Sequence, residues 1–188
     1  MKLAWPPAPL GLGTPLNLAF PSPQTRPLLR RSWWLAPVLG LVTPVLMLAI
    51  DHVLFEGVSR QRVRDLGAQP LLIRLVVVVY SGVTEEVIYR LLIATAAGWI
   101  AYLVLSRLTS EPRTFAQWVG ILVAAFLFGL AHVGNLPDVP HPVLRAVAVN
   151  GVAGLILGWL YWWRGLEMAI FTHMVAIAVL YVAVPVFL

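Results

Sequence analysis

Apolar runs of about 20 residues recur along most of this chain, and each is long enough to cross a hydrocarbon core of roughly 30 Å as a helix. They are expected at Trp33–Leu54, Phe115–Val133, Val143–Trp163 and Leu166–Phe187, with a longer one at Leu71–Leu105. Hydrophobic residues make up 60% of the chain and charged ones 11%, with a mean hydropathy of +0.87, more apolar surface than a water-soluble domain can keep from solvent. The alternation of apolar and polar residues that marks a membrane barrel is absent, and in lipid only a helix satisfies its backbone groups within one segment. The fold class is therefore all-α: a multi-pass transmembrane helical bundle of five to six membrane segments.

Residues 1–32 carry seven prolines, which exclude a continuous helix and leave no uninterrupted signal-peptide core. They are read as a proline-rich N-terminal tail, and residues 33–188 as the helical transmembrane domain. The chain has no cysteine, so disulfides and thiolate chemistry are excluded. A net charge of +5 and a pI of about 10.2 would suit nucleic acid in a soluble protein. Here the basic residues sit between spans and form no stripe interleaved with aromatics, so the partner is the lipid bilayer and no nucleic acid. The tail holds four Lys and Arg and the segment after the first span three; Arg107, Arg113, Arg145 and Arg164 follow. That distribution favours a cytoplasmic N-terminus, and the expected location is a prokaryotic cytoplasmic membrane. Asp51 and His52 are expected at wet interfacial positions, and Trp159, Tyr161, Trp162 and Trp163 at the interface. Gly151, Gly154 and Gly158, at helical spacing, are read as a packing stripe, and the "RG" turn at Arg164 and Gly165 makes the last two spans antiparallel neighbours.

The run from Leu71 to Leu105 would form a helix of about 52 Å, longer than a bilayer core. It must tilt, project or break, and Ser81 and Gly82 offer a break, with a short re-entrant piece before a full span from near Thr84. At that joint lies "SGVTEEVIYR", with three ionisable residues at membrane depth, each costing at least ~2.5 kcal/mol unless it turns inward and pairs. Glu86 and Arg90 are four apart on one helical face and neutralise each other. Glu85, about 100° away around the helix, is left without a local partner. A carboxylate crowded by another in a poorly solvated site suits a general base that takes a proton from water. Its candidate partners from other spans are His132, His173 and Asn150. Glu85, His132 and His173 could orient water and stabilise an oxyanion, or bind a divalent metal such as zinc; with no "HExxH" pattern, the metal-free base ranks first.

These residues resemble the CPBP family of intramembrane endopeptidases, the CAAX prenyl protease and bacteriocin-processing group also called Abi. Glu85, Glu86 and Arg90, with Tyr89 before the arginine, match its EExxxR motif; Phe128 and His132 match FxxxH, and His173 opens the third motif. The resemblance covers about Leu71 to Ile177. It implies a helical membrane core around a cavity, no cofactor, and hydrolysis of a peptide or membrane-protein substrate. By the same resemblance Glu85 is the base, His132 holds the water, Glu86 with Arg90 shapes the site, and His173 helps stabilise the oxyanion.

Two positions depart from the family pattern. Ala176 and Ile177 stand where an Asn is expected after His173, and Leu91 replaces a Gly after Arg90. Asn150 could return the missing amide, although an interhelical hydrogen bond is its plainer role. The departures motivate a second expectation, a catalytically degenerate scaffold or accessory subunit working with other membrane subunits. A third makes the buried histidines ligands of a metal or porphyrin-like pigment.

Overall fold

The structure, a computed structural model, describes residues 33–55, 59–108, 112–135 and 140–186. The proline-rich tail and Phe187, the expected end of the last span, lie outside them. The described residues form six helices and no strand: α1 (Leu35–Phe55), α2 (Ser59–Gly67), α3 (Leu71–Leu105), α4 (Pro112–Ala131), α5 (Pro142–Arg164) and α6 (Leu166–Ala183). All but α2 are long and apolar enough to cross a membrane, so the chain is a multi-pass integral membrane protein.

The expected break at Ser81 and Gly82 does not occur; α3 runs unbroken through both. Gly82 serves a contact instead, since a Cβ there would lie 2.4 Å from Met174 Cγ of α6. The irregularity comes later, as a π-helical stretch at Val87–Ala94. The buried residues of α3 are Val78, Gly82, Glu86, Arg90, Ala94 and Gly98, spaced by four. In an α-helix such a stripe drifts by about 40° at each step. The wider π turn rotates less per residue and pulls Arg90 and Ala94 back toward the interior. Its end is tied down: the Thr95 hydroxyl donates to the Arg90 carbonyl at 3.2 Å, which leaves Tyr161 to donate to Thr95 Oγ1 at 2.6 Å.

Lipid supplies no hydrophobic drive between helices, so close packing rests on small residues. A Cβ at Gly120 of α4 would sit 2.4 Å from the Ala94 carbonyl oxygen of α3, and one at Gly154 of α5 would sit 2.7 Å from Ala125 Cα of α4. Gly154 and Gly158 therefore act as the packing stripe expected of them, whereas Gly151 meets nothing closer than 3.8 Å. Gly120→Ala should lower stability by about 1–3 kcal/mol, because the obstacle is backbone and cannot swing aside; the midpoint of an unfolding titration in detergent reads this directly.

One interfacial assignment needs correction. Asp51 is 1% exposed and bound to Arg145 of α5, so neither is a wet interfacial charge, while His52 beside it is exposed. Tyr161 and Trp162, expected at the interface, are buried among Ile121, Leu160, Leu166 and Ala169, so their rings pack against protein and not lipid. Every tryptophan among the described residues, Trp162 included, falls at one end of the bundle, where α1, α4 and α6 begin and α3 and α5 finish. At the other end α4 finishes, and His132 follows it.

Candidate active site

The site grows from the joint of the two α3 geometries. Glu86, the last residue before the π stretch, is fully buried, as is Arg90 one turn on. Arg90 Nε lies 3.1 Å from Glu86 Oε2, but neither atom makes an aligned hydrogen bond, so this contact is Coulombic. Arg90 is held further by Nη2 donating to the Gly154 carbonyl of α5 at 3.5 Å, and by the Phe128 ring 4.8 Å beneath its guanidinium carbon. Gly154 thus lets α4 and α5 close while leaving a carbonyl for Arg90.

The expected Glu86–Arg90 pair has a third member. Glu86 Oε1 accepts from His173 Nδ1 of α6 at 2.8 Å. A carboxylate can only accept, so the proton is on Nδ1, and in the neutral ring Nε2 is the acceptor. That nitrogen faces Glu85 Oε2 at 3.8 Å, a neighbour for Glu85 from another helix. The Glu85 side chain is 27% exposed, whereas Glu86 has no exposure at all, so two adjacent carboxylates sit in different surroundings. In this tautomer the two facing atoms are both acceptors, and their 3.8 Å spacing would fit a water donating to each at about 2.8 Å.

His132 is placed by the end of α4. Its Nδ1 bonds the Phe128 carbonyl at 2.7 Å and its backbone N–H the Gly129 carbonyl at 3.0 Å. Because a carbonyl only accepts, Nδ1 carries the proton here as well, leaving Nε2 as an acceptor. Phe128 joins the parts: its ring meets Tyr89 edge-on at 5.1 Å, His132 at 4.7 Å and His173 at 5.9 Å. The sequence marked Phe128 only as a motif letter, and an apolar residue among apolar residues gives no sign that four site side chains lean on it.

Asn150 does not enter this constellation through any bond. Its amide donates to the Ala146 carbonyl of its own helix at 3.1 Å, not across to a neighbour, because that carbonyl lies one turn back beneath it. Ala176 and Ile177 are buried on α6 and have no side-chain donor. Among the described residues, no group of three or more His, Cys, Asp or Glu stands where it could hold a metal ion.

The fold and this site define a class: a helical membrane protein with a carboxylate–histidine centre inside its bundle. A family model described as Type II CAAX prenyl endopeptidase Rce1-like matches residues 67–179, and the chain belongs to that family. The match takes in Glu85, Glu86, Arg90, Phe128, His132 and His173, and excludes α1. No curated protein and no solved structure matches the chain.

Proposed function

We propose that the protein is an intramembrane endopeptidase that hydrolyses a peptide bond near the membrane surface with a water activated by Glu85, without a metal. The observation that carries this reading is the 3.8 Å gap between Glu85 Oε2 and His173 Nε2, with Glu86 fixing the far side of the imidazole. A water held there donates one proton toward each acceptor and turns a lone pair outward. Glu85 takes one proton as the oxygen adds to the substrate carbonyl carbon. When the tetrahedral species collapses and the C–N bond breaks, Glu85 returns that proton to the leaving nitrogen. His132, with Nε2 free to accept, is suited to hold the incoming water. In this tautomer His173 orients water; it could donate to an oxyanion only as imidazolium, whose charge Glu86 would offset.

A purified sample incubated with membrane-anchored peptides in ¹⁸O-labelled water tests the proposal. The label should appear in the new C-terminal carboxylate, and intact peptides after extended incubation would overturn it. If Asn150 supplied the oxyanion donor, Asn150→Ala would cost about 100- to 1,000-fold in kcat. With its amide engaged on Ala146, little change in kcat is expected.

One observation favours a second reading, a degenerate member that serves as a scaffold for other membrane subunits: Ala176 and Ile177, where the family pattern has an Asn, carry no side-chain donor, and the Asn150 amide is turned to its own helix. Co-purification in fixed stoichiometry with other membrane proteins, together with absent hydrolysis, would favour it.

A further inference from the structure

We infer that Asp51 and Arg145 are a positioning pair that sets His132 through the packing of α5 against α4. The inference rests on the peptidase reading for its kinetic readout, though not for its geometry. Arg145 Nε donates to Asp51 Oδ1 at 2.7 Å, and Nη2 lies 2.5 Å from the same oxygen, with the side chains 3% and 1% exposed. Asp51 belongs to α1, outside the family match, so the first span contributes to the site-bearing end of the bundle rather than merely anchoring it.

The contacts run from this pair to the site in three steps. Arg145 stands in the first turn of α5, its N–H bonded to the carbonyl of His141, which holds a left-handed φ of 53°. The next two residues, Ala146 and Val147, meet Gly129 of α4 so closely that a Cβ there would lie 2.7 Å from Val147 Cα and 3.2 Å from the Ala146 oxygen. Gly129 in turn accepts the backbone N–H of His132, and Phe128 beside it accepts the imidazole N–H. Whatever fixes the first turn of α5 therefore fixes the floor on which His132 rests.

Stability alone does not call for an ion pair at this position. A buried pair gives little net stabilisation over apolar side chains of similar volume, but it is directional, and it adds to the packing of small residues a bond that only one alignment satisfies. One carboxylate oxygen clasped by two guanidinium nitrogens selects one alignment of α1 on α5.

The absence of cysteine makes the test direct. Spin labels attached through Leu127→Cys on α4 and Leu144→Cys on α5, both exposed, report the alignment of the two helices. They are introduced into the full chain and into Asp51→Leu/Arg145→Met, which removes both charges together and so avoids leaving one buried alone. The double variant should fold with an unfolding midpoint at or above that of the parent, yet give a broadened or shifted distance distribution. Its kcat should fall about 100-fold, the size expected when a reacting group is displaced by about 1 Å, with KM within about twofold. Asp51→Glu, which keeps the pair, should retain most of kcat. An unchanged distance distribution overturns the inference whether or not the parent cleaves; a parent that fails to cleave overturns the peptidase reading and leaves the distance measurement to decide this one.

Discussion

Glu85→Gln should lower cleavage by about 100- to 10,000-fold, the contribution of a positioned general base, with the fold retained. Glutamine has the same shape, and Glu85 is partly exposed, with His173 Nε2 3.8 Å away, so the bundle loses little. The chemistry loses more. An amide cannot take a proton from water, and its NH2 group would compete with water as the donor to His173 Nε2. The deficit should therefore lie in kcat rather than KM, since substrate contacts outside the reacting centre are untouched. Helix content and unfolding midpoint measured beside the kinetics separate this from misfolding. A Glu85→Gln protein that cleaves at the parent rate would remove Glu85 from the mechanism and take the proposed reaction with it.

What the sequence disclosed and what it hid divide along physical lines. Span number and helical class were legible because lipid imposes one requirement on every residue of a span, and composition records it. Glu86 with Arg90 was legible because an i, i+4 pair is local. The partner of Asp51 lies 94 residues away, and nothing in "AIDHVL" distinguishes a wet carboxylate from one clasped by Arg145. Gly82 misled in a related way. Glycine in an apolar run signals either a weak point or a close approach, and only Met174 on α6 shows it to be the second. The π stretch is hidden for the same reason: Val87–Ala94 reads as ordinary helix, and its wider turn is tied off by a hydroxyl chain to Tyr161, 66 residues beyond Thr95.

The second large effect concerns Glu86 and Arg90, where stability and activity should part. Glu86→Leu alone leaves Arg90 buried with one 3.5 Å bond to Gly154 and an aromatic face, and Arg90→Met alone leaves a buried carboxylate with only His173. Breaking a buried pair from either side costs about 3–5 kcal/mol, because the remaining charge keeps its desolvation penalty without its partner. Each single variant should thus fold poorly or unfold at much lower denaturant. The double variant Glu86→Leu/Arg90→Met removes both penalties and should recover most of the lost stability, less the cost of His173 Nδ1 losing its acceptor, about 1–3 kcal/mol. It should not recover cleavage. Without Glu86 Oε1 the His173 Nδ1 proton loses the acceptor that holds it there, and Nε2 no longer has to face Glu85 as an acceptor. Unfolding midpoints and kcat measured on the same three proteins give the answer: a double variant that regains both would reduce Glu86 to charge neutralisation, whereas one that regains stability alone makes it the residue that orients His173.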